Sequence, residues 1–210
     1  HDVHVAYQTS GNIAVSDEEA LKFAEISKEI NSDSEAINSI IDFIKNKKDN
    51  DVIDSLEVRK LKGSIRRSES LAATRYLGLS DDKVHFLNLP FYETGTIKKG
   101  NISEADIGIM HNFIDDIKPH QIYAAGDLAD PHGTHKVCLD ALFLALDDLK
   151  VKSYMDDCWV WLYRGAWHEW ESDEIEMAVP MSPDQILRKR HAIFYHQSQK
   201  DGVMFQGGDS

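Results

Sequence analysis

The sequence has few of the features that mark disulfide-stabilised, membrane-spanning or nucleic-acid-binding proteins. Its two cysteines, Cys138 and Cys158, are too few and too widely spaced for a disulfide framework or a thiolate zinc cluster. The longest apolar stretches, such as 141–146, fall far short of the roughly 20 residues that a membrane-spanning helix needs. Lys and Arg number 23 against 36 Asp and Glu, and the resulting charge of −13 disfavours nucleic acid and anionic membrane surfaces as partners. The composition predicts a soluble, cytoplasmic protein that acts on a small molecule.

Segments with strand and helix patterns alternate along the 210 residues. Short apolar runs predict strands at 3–7, 84–89, 121–125, 159–163 and 175–179. Apolar residues at helical spacing predict helices that begin near residues 17, 37 and 103, a helix through 137–146, and two more over 52–77 and 183–199. This alternation predicts an α/β fold with a largely parallel sheet covered on both faces. No linker or repeat divides the chain, so we expect one domain over residues 1–210. We also expect that domain to be truncated at the N-terminus and at the C-terminus.

A polar segment follows the third predicted strand and contains Asp127, Asp130, His132 and His135. Open α/β sheets bind ligands at the carboxyl ends of their strands, which is where this segment lies. His132 and His135 are three residues apart at the start of a helix, so both rings can face the same side, and a neighbouring aspartate can orient one of them. The residues alone leave two interpretations open. One is a site with a metal-binding and a catalytic imidazole, and the other is a capped turn whose histidines are merely hydrogen-bonded.

Three blocks in the same order along the chain resemble the PIG-L/LmbE family of zinc-dependent N-acetyl-sugar deacetylases. They are Arg66-Arg67-Ser68-Glu69, Asp130-x-His132-x-x-His135, and Lys189-Arg190-His191-Ala192 followed by His196-Gln197-Ser198-Gln199. Segments 86–95, 126–135 and 194–202 most resemble the C-terminal PIG-L-type domain that is fused to glucosamine-6-phosphate deaminase in Bacteroidetes-type proteins. The resemblance implies a Rossmann-like three-layer α/β/α sandwich with a mainly parallel sheet, here lacking its first strand.

The same resemblance implies a role for particular residues. His135 would bind Zn²⁺, His132 would stabilise the oxyanion or protonate the leaving amine, and Asp130 would orient His132. Arg66 would bind substrate, although Arg66 and Arg67 could equally form a solvated helix face. His196 and Gln199 would support the metal-side loops from outside the ligand shell.

Two departures from the family pattern bear on activity. The family's first motif, His-Pro-Asp-Asp, which supplies two zinc ligands and the general base, is absent from this sequence, and Thr134 stands where the family commonly has Asp. One imidazole cannot hold Zn²⁺ in a tetrahedral catalytic site, so we expect this chain to bind zinc weakly and to be inactive.

These observations predict a place in amino-sugar metabolism. In its complete form the domain would hydrolyse the N-acetyl group of a GlcNAc-like sugar with zinc, and its partner would be a fused deaminase domain. The alternative is a non-catalytic accessory or regulatory domain of a glucosamine-6-phosphate deaminase. Deaminase activity of this chain itself has no support, because no sugar-isomerase pattern is present. Trp159 and Trp161 share one strand face, which we expect to be buried rather than to stack on a sugar.

Overall fold

The computed structural model describes residues 2–48, 52–96, 98–126, 133–164 and 169–199. Within these residues it contains four β-strands: β1 (Val5–Tyr7), β2 (Val84–Phe86), β3 (Gln121–Ala125) and β4 (Trp159–Tyr163). The α-helices are α1 (Asp17–Ile30), α2 (Glu35–Asp42), α3 (Leu56–Leu77), α4 (Glu104–Ile117), α5 (Thr134–Leu149) and α6 (Pro183–Ile193). The chain divides into two compact units, His1–Phe86 with Met181–Ser210, and Leu87–Pro180, here called the first and the second unit. The single domain stays a prediction.

The first unit pairs β1 with β2 in parallel, with Val5 beside Val84 and Tyr7 beside Phe86. Its helices begin at serines: the side chains of Ser16, Ser34 and Ser55 each accept a backbone N–H from the first turn of α1, α2 and α3. The apolar core lies between α1, α2 and α3 and includes Val15, Ala20, Ala24, Ile40, Val58 and Ile65.

A network of ion pairs adds to the packing between α1 and α3. The Lys62 ammonium is buried and lies 2.7 Å from carboxylate oxygens of both Asp17 and Asp54. Lys48 contacts the same two aspartates, 2.6 Å from Asp17. The buried ammonium is therefore paired, as burial of an ion requires.

The second unit pairs β3 with β4 in parallel, in a register that places Tyr123 beside Trp161. Helices α4 and α5 pack against each other and bury Met110, Ile114, Leu139, Leu142, Ala145 and Leu149. The fully buried Asp106 accepts the backbone N–H groups of Phe91 and Ser103, both at 2.9 Å, and so fixes the start of α4.

The mixture of helices and small parallel sheets confirms the predicted α/β class in its coarse form. Three local predictions were wrong. Residues 175–179 form no strand, and Ile175 and Val179 are exposed. None of the four described strands pairs with this segment, and an isolated strand is unstable in water. Helix α6 ends at Ile193, and only a 3₁₀ turn at Gln197–Gln199 follows it.

The third wrong prediction is the buried aromatic face of β4. Trp159 is 65% exposed and Tyr163 is 58% exposed, and Tyr123 on β3 is exposed as well. Side chains alternate between the faces of a strand, and the less exposed residues between these aromatics are Ile122, Val160 and Leu162. Helix α5 contacts β3, so apolar cover is present for one set of side chains. On the aromatic face Trp159 and Tyr163 are exposed, while Trp161 between them is half-buried.

None of the helices in the described part of the chain is both long enough and apolar enough to cross a lipid bilayer.

Candidate functional site

The carboxyl edge of the β3–β4 sheet carries the residues that follow the two strands, Gly126 and Arg164. The Gly126 N–H donates to the Tyr163 carbonyl at 2.8 Å, and Arg164 Nε–H donates to the Gly126 carbonyl at 3.2 Å. The arginine is therefore tied to the end of the neighbouring strand. This edge is where parallel α/β sheets bind their ligands.

An indole ring fixes the Arg164 guanidinium from a second direction. Its central carbon lies 3.5 Å from the centre of the Trp170 ring, a cation–π contact. Gly126 makes room for this arrangement, since a Cβ there would lie 2.9 Å from the Leu162 Cβ and 3.4 Å from the Trp170 ring. Both Arg164 and Trp170 are half-buried. The sequence motifs assigned no role to Arg164, although its position directly after a strand was a usable signal.

His135 occupies the first turn of α5, on the connection that follows β3, as the spacing predicts. Gly133 precedes this helix in the left-handed conformation, with φ 69°, and His135 is half-buried. Asp130 and His132 lie outside the described residues, so their predicted roles stay predictions.

The described residues lack the ligand set of a zinc site. Among them, no group of three or more His, Cys, Asp or Glu side chains is placed to hold a metal ion. A tetrahedral zinc centre with an open position needs three protein ligands, whereas His135 is the one ligand that the resemblance provides. The described residues therefore do not complete a zinc site, and no reaction step is assigned to the metal in this chain.

Arg66, in the first unit, is held by a polar cluster that joins α3 to the chain beyond α6. Its Nη1 donates to Glu69 Oε2 at 2.9 Å, lies 3.5 Å from His196 Nδ1, and donates weakly to Ser198 Oγ at 3.4 Å. The loop after β1 closes over the guanidinium, since a Cβ at Gly11, where φ is +67°, would lie 3.2 Å from Arg66 Nε. We call these residues, Arg66, Glu69, His196 and Ser198, the Arg66 cluster.

Glu69 is the acceptor around which the Arg66 cluster is organised. It is 8% exposed, and its two carboxylate oxygens accept the Ser198 backbone N–H at 2.6 Å and the Ser198 hydroxyl at 2.8 Å. One carboxylate thus binds a residue 129 positions away in the sequence. The (i, i+3) spacing of Arg66 and Glu69 on a helix predicts their ion pair, but nothing local to the sequence predicts Ser198 as the third member.

His196 and Gln199 contact the first unit's other elements. Burial lowers the pKa of His196, and the nearby Arg66 guanidinium lowers it further. The Gln199 side-chain amide donates to the Ala14 carbonyl at 3.0 Å and to Ser198 Oγ at 3.3 Å. Their predicted approach to the metal-side loop concerns residues 127–132, which lie outside the described part, and it stays a prediction.

Comparison with known proteins gives one informative match. The chain is 51% identical over 220 aligned positions to a Bacteroides thetaiotaomicron protein named "Putative glucosamine-6-phosphate deaminase-like protein". The alignment covers all of this chain but 33% of that protein, so the chain spans about a third of the length of the curated relative it matches. No family model matches the chain. No solved structure matches it significantly.

Proposed function

We propose that this chain is a PIG-L/LmbE-like domain of an amino-sugar-processing protein, built as a Rossmann-like three-layer α/β/α sandwich. In its complete form the domain would be a zinc-dependent hydrolase that removes the N-acetyl group from a GlcNAc-like sugar. The observation that carries this proposal is the Arg66 cluster. It brings two of the three blocks that resemble the family into direct contact, through Glu69 and Ser198.

The relative supports the metabolic setting of this proposal. Its name refers to glucosamine 6-phosphate, and it is about three times as long as the aligned region. A deaminase domain fused to this one would then share an amino-sugar substrate or product with it. We propose that fused domain as the partner.

In this proposal the residues of the segment after β3 have separate roles in metal binding and catalysis. His135 would be one zinc ligand, His132 would donate a hydrogen bond to the developing oxyanion or a proton to the leaving amine, and Asp130 would fix the His132 tautomer. Arg66 would contact a hydroxyl group of the substrate from α3. The remaining zinc ligands and the general base would belong to a His-Pro-Asp-Asp motif, which this sequence lacks.

A non-catalytic accessory domain is the second candidate, and a specific observation favours it. Thr134 stands beside His135, where the family commonly has Asp. In that case the fold would position or regulate the deaminase domain without turnover of its own.

The experiment compares this chain with an N-terminally extended form that carries His-Pro-Asp-Asp. Zinc content and acetate release from N-acetylglucosamine and its 6-phosphate are measured for both. We expect weak zinc binding and no turnover for this chain, and gain of both by the extended form. In the extended form, His132→Ala should keep zinc and lose turnover, whereas His135→Ala should lose both. An extended form that binds zinc fully but releases no acetate would favour the accessory domain, and tight stoichiometric zinc in the short chain would contradict the assigned ligands.

A further inference from the structure

Arg164 is a positively charged residue in an acidic part of the sequence, and its described partners are uncharged. Residues 87–180 contain 17 acidic and 7 basic side chains, and Arg164 is the one arginine among them. A single guanidinium among so many carboxylates would ordinarily pair with one. Arg164 instead contacts a neutral indole ring and a backbone carbonyl.

These two contacts hold the guanidinium without neutralising it. Nε is used by the Gly126 carbonyl, and one flat face is covered by Trp170. The two terminal nitrogens make no hydrogen bond to any residue in the described ranges. A guanidinium offers five N–H donors in a rigid fork, and this fork matches the oxygens of a phosphate or a carboxylate. Among the residues that the structure describes, none occupies its terminal pair, which lies at the carboxyl edge of the sheet.

Arg66 does not offer the same opportunity. Its Nη1 is directed at Glu69, a carboxylate in the same helix, and the cluster is closed by Ser198 and His196. An anion approaching Arg66 would compete with a carboxylate that is already hydrogen-bonded and buried. An anion approaching Arg164 would displace no described carboxylate.

We propose that Arg164 binds the phosphate group of a phosphorylated amino sugar, with Trp170 and Gly126 holding the guanidinium in place. The inference rests on the proposed function for the sugar, and it adds that the substrate is anionic. The phosphate oxygens would accept from the terminal nitrogens of Arg164, while the sugar ring would lie at the carboxyl edge of β3 and β4.

The test uses this chain and three probes: glucosamine 6-phosphate, glucosamine and inorganic phosphate, each titrated by calorimetry. We expect glucosamine 6-phosphate to bind at least about tenfold more tightly than glucosamine, since a bidentate charge-assisted pair contributes that much. Arg164→Gln should abolish this difference and lower the affinity for inorganic phosphate, without changing the affinity for glucosamine. Arg164→Lys keeps the charge but loses the planar fork, so it should give an intermediate affinity.

Lys152→Gln is the matched control, because it removes one exposed positive charge from the same unit and should leave all three affinities unchanged. Thermal unfolding of each variant shows whether it is folded. Equal binding of glucosamine and its 6-phosphate, or an Arg164→Gln variant that retains the preference, would overturn the inference.

The failure of this inference and that of the proposed function can be told apart. If the phosphate preference depends on Arg164 but the extended form releases no acetate, the inference holds and the deacetylase proposal fails. If the extended form releases acetate at the same rate from N-acetylglucosamine and from N-acetylglucosamine 6-phosphate, with or without Arg164, the deacetylase proposal holds and the inference fails.

Discussion

Arg66 and Arg164 are the same side chain in two different settings. Arg66 lies on α3 beside a buried carboxylate, and its charge is neutralised within the Arg66 cluster. Arg164 follows β4 and is held by an aromatic ring and a carbonyl, which orient it but leave its charge uncompensated by any described carboxylate. The difference shows that the partner, and not the residue type, decides whether the charge of an arginine is neutralised by a described carboxylate.

The largest expected effect is on the Arg66 cluster. Glu69→Ala removes the acceptor of both Arg66 and Ser198 and leaves a partly buried guanidinium without its carboxylate. We expect it to lower the free energy of unfolding by about 3 kcal/mol, as breaking a buried ion pair from one side does. Urea denaturation followed by circular dichroism measures the change.

Glu29→Ala is the matched control for this substitution. Glu29 is exposed on α1 of the same unit, and its replacement should change the free energy of unfolding by no more than about 0.5 kcal/mol. Similar losses for the two variants would mean that the Arg66 cluster does not hold α3 to the chain beyond α6.

The next effect is at Arg164. Gly126→Ala places a Cβ 2.9 Å from the Leu162 Cβ and beside Trp170, so the strand end or the indole has to move. We expect overpacking to lower the free energy of unfolding by about 2 kcal/mol and to shift the tryptophan fluorescence.

Gly108→Ala provides the contrast. Gly108 lies within α4, and a Cβ added there would have no neighbouring atom within 4 Å, so alanine should stabilise the helix by about 0.5 to 1 kcal/mol. If Gly126→Ala is as stable as the parent chain, the close packing of Gly126, Leu162 and Trp170 does not constrain Arg164.

The smallest effect is the pH dependence of the Arg66 cluster. The pKa of His196 is lowered in the folded chain, so the unfolded chain takes up a proton more readily as the pH falls. Stability contributed by the neutral ring is therefore present above the ordinary pKa of about 6.5 and declines as the pH falls through the lowered value.

His196→Gln should flatten part of this decline. Burial also lowers the pKa of His85, so some slope should remain in the variant. The measurement is the free energy of unfolding between about pH 8 and pH 5 for both proteins, a range that spans the ordinary histidine pKa. Parallel profiles would show that His196 does not couple protonation to the Arg66 cluster.

Much of the local structure could be predicted from the sequence because its signals are short-range. Ser16 and Ser55 stand at helix starts, and each accepts an N–H three residues on. The position of His135 in the first turn of α5 likewise follows from a strand, a polar turn and a periodic apolar run. The exposure of Trp159 and Tyr163 on β4 could not be predicted, because alternation identifies the two faces of a strand but not which of them is covered.

The sequence by itself determined the helices, the parallel strands and the order of the motif blocks, since these depend on spacing along the chain. Only the tertiary structure decided which polar groups meet. Glu69 and Ser198 are 129 residues apart, and the pairing of β3 with β4 brings Arg164 to Gly126, 38 residues earlier in the chain. Contacts between distant residues depend on strand register and helix packing, and no local pattern specifies them.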